Sequence, residues 1–198
     1  MGRTSTARER LLEATCELLG TRGYSAVGVA EICARADVRK GSFYHFFDSK
    51  QALTLAAVDS HWTTQRTHWN HVLSAADTPP LARLRRLLDD QAEAQRRAKR
   101  ETDAVHGCLF GNLALELSNQ EWVVQSRLAE IFDEQIAMVQ LVLAEAAAEG
   151  AVAADRAGRV TARAVLAQLE GIVMLAKLGN NPAVLDDLWA TVRLLIGC

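Results

Sequence analysis

Between Arg39 and Lys50 the chain gathers side chains that donate hydrogen bonds. Arg39 and Lys40 come first, then Gly41, then Ser42, Tyr44 and His45, with Lys50 closing the run. Cations and donors of moderate length at this density suit phosphate oxygens, and a glycine among them lets backbone approach a sugar-phosphate strand. A second group carries different chemistry. Cys108 follows His106-Gly107 at the predicted first turn of a helix, where the dipole favours a thiolate. Lys177, the one cation in the apolar run GIVMLAKLG, is placed to point inward and would favour the thiolate further.

The elements that must position the first group are short. Val29, Ile32 and Cys33 form an apolar stripe that predicts a helix over Val29–Arg35, with Gly28 at its N-cap. Ala36-Asp37-Val38 is a polar turn whose Val38 plugs back between the helices. A second helix is expected over Arg39–Phe46, with Phe43 and Phe46 or Phe47 inward and the donors outward. Such a pair is a helix-turn-helix, whose second helix lies in the major groove. Asp48-Ser49-Lys50 then starts a further helix, placing Lys50 where a helix N-terminus also favours a phosphate.

The segment GYSAVGVAEICARADVRKGSFYHFFDSKQAL resembles the DNA-binding part of the TetR family of bacterial transcriptional regulators. Gly23-Tyr24, the Ile32 helix, Lys40-Gly41, the Phe43-Tyr44-His45-Phe46 block and Ser49-Lys50 carry the likeness. It implies a homodimeric, ligand-responsive protein that binds a double-stranded operator, most simply a repressor. Three positions depart from the pattern: Val27-Gly28 stands where Thr or Ser is usual, Asp37 replaces a turn glycine, and Arg39 replaces a serine. Arg39 thereby gains a bidentate reach to guanine that serine lacks. The stretches GCLFGNLALEL and EGIVMLAKL further resemble family members that respond to electrophiles through a cysteine, which makes Cys108 the sensing nucleophile and Lys177 its activator.

Composition bounds the rest. Half of the 198 residues are apolar and 23% charged, as in an ordinary globular chain with a sizeable core. Net charge is −2, yet residues 1–50 hold eight Lys or Arg against six Asp or Glu, so the basic balance sits with the expected DNA contacts. Cys16, Cys33, Cys108 and Cys198 show no paired spacing, which argues against a disulfide scaffold or structural zinc and for a reducing cytoplasm. No targeting segment or membrane span is expected, and no cofactor or metal.

Helical periodicity runs nearly throughout, so the expected fold is all-α, with about nine helices. An N-terminal three-helix DNA-binding domain would occupy residues 1–50, and a helical bundle for ligand binding and dimerisation residues 51–198. Residues 1–6 read as a loose arm with Thr6 as a cap, and Arg3, Arg8 and Arg10 as further backbone contacts or merely solvated cations. Asp77-Thr78-Pro79-Pro80 is the clearest break. The tract Arg96-Arg97-Ala98-Lys99-Arg100 reads as a solvated helix end. The last two helices are expected over Asp155–Leu178 and Pro182–Ile196. Small residues Ala164, Ala167 and Gly171 on the first, with Leu185, Leu188, Trp189 and Val192 on the second, predict a four-helix dimer interface. Packing within one protomer is the alternative.

Trp62, Phe110 and Met174 either line a cavity for an apolar ligand or form plain core, and Cys108 is either a sensor or a small packed hydrophobe. His61, His68 and His71 share a broad face but have no acidic or cysteine partner at ligand spacing. Two other classes compete with a regulator. A cysteine enzyme would rest on Cys108 and His106, whose i, i+2 spacing faces them apart; a protein-binding helical module would leave the donors of Arg39–His45 without a task. No enzymatic activity is expected.

Overall fold

The structure, a computed structural model, describes the backbone of residues 2–198 and side chains from residue 6 onward. Among the described residues the chain forms nine α-helices and two 3-10 turns, with no strand. In order these are α1 (Gly2–Arg22), α2 (Val29–Arg35), α3 (Lys40–Phe43), α4 (Lys50–Leu73), α5 (Pro80–Thr102), α6 (Leu109–Leu117), α7 (Trp122–Ala148), α8 (Arg159–Leu178) and α9 (Leu188–Ile196). The 3-10 turns are Ala154–Arg156 before α8 and Pro182–Leu185 before α9.

Two compact units emerge from the packing: the chain up to Gln65 with Leu109–Glu130, and Arg66–Cys108 with Ile131–Cys198. In the first, α1 contributes Leu11, Leu12 and Leu19, α2 Ile32 and Cys33, α3 Phe43, and α4 Leu53, Ala57 and Val58. Thr15 is buried among them because its hydroxyl donates to Leu11 O at 2.7 Å. Phe110, Leu113 and Leu117 of α6 complete this core. The second unit has one continuous core drawn from α5 (Leu84, Leu87, Leu88), α7 (Val139, Leu143), α8 (Leu166, Leu169, Val173) and α9 (Leu188, Val192, Ile196).

Several expected boundaries move, each for a local reason. α1 begins at Gly2 and not after a cap at Thr6, since nothing in the first residues breaks a helix; the side chain expected at Arg3 lies outside the described residues. α3 stops at Phe43 and the chain turns over residues 44–46, which seats Phe47 in the core and leaves Phe46 half-buried. α8 starts at Arg159, capped by Gly158. The final helix is shorter than its periodicity suggests: Asn181 Oδ1 accepts from Ala183 N at 3.0 Å and sets up the 3-10 turn at Pro182. Asp186-Asp187 then forms a turn before α9.

Leu185, Leu188 and Val192, expected at a dimer interface, are instead buried in the protomer's own core. A side chain already removed from water has no surface to offer a second copy. The large apolar side chains exposed on α8 are Val160, Met174, Leu175 and Leu178, and on α9 Leu194, with Leu178 81% and Leu194 79% exposed. Ala167 is also exposed, while Ala164, Gly171 and Trp189 are half-buried.

Candidate nucleic-acid interface and thiol site

The turn between α2 and α3 rests on Asp37, which adopts φ +51°. This left-handed region admits Asp more readily than most residues, which explains how it stands in a glycine's place. Val38 N donates to Cys33 O at 2.9 Å, closing the turn. Arg39 is the N-cap of α3 in an extended conformation (φ −65°, ψ 138°), and its carbonyl accepts from Ser42 N at 2.8 Å. The chain thus presents Arg39, Lys40, Gly41, Tyr44 and His45 to solvent, with Ser42 half-buried. A Cβ on Gly41 would meet nothing within 4 Å, so that surface is open to an approaching strand. Phe43 supports Tyr44 edge-on, ring centroids 5.0 Å apart, which holds the exposed phenol over a buried base.

A depression beside α3 is lined by Thr6, Ala7, Arg10, Asp37, Arg39, Ser42 and His45, among others. Arg10 Nη1 reaches Asp37 Oδ2 at 3.3 Å, and the Arg8 guanidinium lies 5.4 Å from the Phe47 ring centroid. Lys50 is turned elsewhere. Its ammonium donates to Tyr24 O and sits 3.8 Å from the centroid of the Tyr24 ring. Ser49, one residue earlier, caps α4 by accepting from Ala52 N at 3.0 Å.

In the second unit Cys108 stands immediately before α6, one residue ahead of the expected first turn. The approach is fixed by Gly107 (φ +79°), whose N donates to Gln95 Oε1 at 3.0 Å and whose carbonyl accepts from Gln95 Nε2 at 3.1 Å. The Cys108 thiol is half-buried and hydrogen-bonded to the Glu170 carboxylate. Burial raises the Glu170 pKa above the ordinary carboxylate range, against the opposing pull of that thiol hydrogen bond. Burial lowers the Lys177 pKa, and its electrostatic interaction with Cys108 opposes the shift. Cys108 therefore interacts electrostatically with Lys177, and its hydrogen-bond partner is Glu170. It lies two turns from Lys177 on α8 and is the sole acidic residue of that helix, a signal the sequence carried unread.

Trp62 and Phe110 are buried against each other in the first unit, edge to face at 6.1 Å, with His61 5.4 Å from Phe110. Met174 is on the exposed side of α8. His68 Nε2 lies 3.1 Å from Asp90 Oδ2, and His106 shares a hydrogen bond with Thr102 Oγ1 at 2.9 Å. Among the described residues no three metal-binding side chains cluster, and no helix is long and apolar enough to cross a membrane. The basic end of α5 is engaged internally, with Arg96 on Asp186 at 2.6 Å, Lys99 on Asp103 at 2.6 Å and Arg100 on Glu93 at 2.7 Å.

A short donor-rich helix, held by a left-handed turn against a second helix and carried on an all-helical chain, defines a helix-turn-helix DNA-binding protein. The family model for bacterial regulatory proteins of the tetR family matches residues 11–57, and that for the tetracyclin repressor-like C-terminal domain matches residues 80–192. The chain belongs to the TetR family of transcriptional regulators. It is 31% identical to the HTH-type transcriptional repressor DhaR of Mycobacterium sp. (strain GP1), over 97% of this chain and 92% of that protein. The crystal structure of regulatory protein TetR from Rhodobacter sphaeroides superposes with a TM-score of 0.89 at 31% identity, covering 96% of this chain and 98% of that one. The reduced form of Escherichia coli NemR shares the fold, with a TM-score of 0.82 at 24% identity and 96% of each chain covered.

Proposed function

We propose that this chain is a dimeric repressor that holds a palindromic operator through Arg39, Lys40, Gly41, Ser42, Tyr44 and His45, and releases it when an inducer engages the site around Cys108. The observation that carries the DNA contacts is the exposed face from Arg39 to His45 above a buried Phe43. Lys50 is left out of the set because its ammonium is engaged by Tyr24. Residues 1–50 take the DNA-binding role, and residues 51–198 the sensing and dimerisation roles. The exposed apolar side chains of α8 and α9, with Ala164, Ala167 and Gly171 allowing close approach, support a homodimer through these helices. Two heads related by a twofold axis would read half-sites about 34–36 Å apart or a multiple of that.

The hydrogen bond of Cys108 to Glu170 and its electrostatic interaction with Lys177 support a thiol-reactive electrophile as the inducer. An inducer acts by binding or modifying one arrangement of the dimer in preference to the other. The family, one of regulators, and a Cys108 whose thiol bonds to Glu170 speak for sensing in place of catalysis. Four free cysteines suit a reducing cytoplasm as the compartment. A second reading rests on Cys108 packing against the apolar core of its unit, which favours a reversible apolar ligand and a structural thiol.

Selection of bound duplexes from random DNA, with and without prior treatment by N-ethylmaleimide, tests both. An enriched palindrome lost on treatment and retained in Cys108→Ser is expected. A palindrome indifferent to treatment would leave the repressor with a reversible ligand, and no enrichment at all would overturn DNA binding by this chain.

A further inference from the structure

The loop between α1 and α2 is bound at Tyr24 and Ser25 by a pair of carboxylates, Glu116 and Glu121. Tyr24 N donates to Glu116 Oε2 at 2.6 Å, and Ser25 N donates to Glu116 Oε1 at 2.7 Å, so a single carboxylate of α6 takes two consecutive peptide groups. Gly23 makes room for this. Its φ is +85°, and a Cβ there would stand 2.8 Å from Glu116 Oε2. From the other side Lys50 donates to Tyr24 O, and Glu121 accepts from Tyr24 Oη at 3.3 Å and from Gln51 Nε2. A further tie joins Asn112 Nδ2 to Gly20 O at 3.1 Å.

The electrostatics agree with a closed network. Burial alone would raise the Glu116 carboxyl, but the bonds from Ser25 and Tyr24 and the nearby Lys50 ammonium outweigh it and hold the pKa below the ordinary range. Burial lowers Lys50 while Glu116 and Glu121 oppose it, and burial with the same two carboxylates pushes the Tyr24 phenol up to about 12. Glu116 is therefore held in its ionised form by Tyr24, Ser25 and Lys50, and the Tyr24 phenol is kept as a donor.

We infer that Glu116, with Glu121 and Lys50, is a positioning residue for DNA binding. The two helices of the helix-turn-helix span Val29–Phe43 and are bracketed by the loop at residues 23–28 and by the first turn of α4 at Lys50. Glu116 and Glu121 fix both brackets at once, so the tilt of α3 is set by α6 and the start of α7. The inference rests on the DNA-binding reading above and assigns Lys50 to this network in place of a phosphate.

The sign of one substitution separates this role from simple charge. DNA is a polyanion, so deleting a negative side chain from the head strengthens binding when only long-range electrostatics acts. The positioning role demands the opposite. On a duplex enriched by the wild-type chain, Glu116→Gln is expected to bind about tenfold more weakly, with faster hydrogen exchange at the Tyr24 and Ser25 amides and unchanged helix content. Equal or tighter binding by Glu116→Gln overturns the inference. Lys50→Gln provides an independent arm should the first variant fold poorly. It is expected to lose affinity without changing the salt dependence, whereas a slope of log K against log salt reduced by about 0.9 would make Lys50 a phosphate ligand and overturn its assignment here. Failure of the wild-type chain to enrich any duplex overturns the DNA-binding reading and this inference together; wild-type affinity retained in the variants overturns only the inference.

Discussion

Arg39 and Lys40 are neighbours in the chain with different expected roles. An arginine at the cap of a recognition helix can hold guanine O6 and N7 together, while a lysine beside it neutralises a phosphate as a point charge. Arg39→Ser is therefore expected to change the base preferred at one position of each half-site, scored by repeating duplex selection with the variant. Lys40→Gln is expected to weaken all sequences alike and to lower the salt slope by about 0.9. Glu170 makes a prediction about pH. Its folded-state pKa is raised, so between the unfolded glutamate value of about 4.3 and that higher value the folded chain binds more protons than the unfolded one. Its contribution to stability consequently falls as pH rises through this window. Thermal unfolding followed across that range should show a decline that Glu170→Gln removes, and an unchanged profile in the variant would show that Glu170 titrates normally.

At the scale of elements, the helix-turn-helix depends on two left-handed residues of different kinds. Asp37 tolerates φ +51° without a compensating buried bond, since its pair with Arg10 is exposed and worth little. Asp37→Gly should thus stabilise the chain by about 0.5–1 kcal/mol in chemical denaturation. Gly23 has no such freedom: a side chain there meets both the positive φ and the Glu116 carboxylate, so Gly23→Ala should cost about 1–3 kcal/mol and weaken DNA binding as well. Much of this architecture was legible in the sequence because apolar spacing marks a helix wherever one face is buried. Ile32 with Cys33, and Leu84 with Leu87 and Leu88, are such faces. The end of α3 was not legible, since choosing Phe47 over Phe46 for the core depends on what surrounds them. The break before α9 was hidden by a continuous apolar stripe that runs through a 3-10 turn. In the thiol site Lys177 was readable as a charge in an apolar run, whereas the partners of Glu116 lie 91 and 92 residues away in the chain, beyond the reach of any local pattern.

For the molecule as a whole, the stripe on the last helix and the surface beside it have separate duties. Leu188 is buried in the protomer, so Leu188→Arg should unfold it; Leu178 is exposed, so Leu178→Arg should leave a folded monomer in sedimentation. That monomer should lose operator affinity by about 10²-fold or more, because it offers the operator one head in place of two linked ones. A Leu178→Arg protein that stays dimeric would remove α8 from the interface. The tryptophans offer a way to watch these events without labels. Trp62 and Trp69 are buried and Trp189 is half-buried, whereas Trp122, the first residue of α7, is 76% exposed and directly follows Glu121. Iodide should reach Trp122 ahead of the two buried indoles. Its quenchable emission thereby makes the chain its own optical gauge of the junction where α7 meets the DNA-binding head.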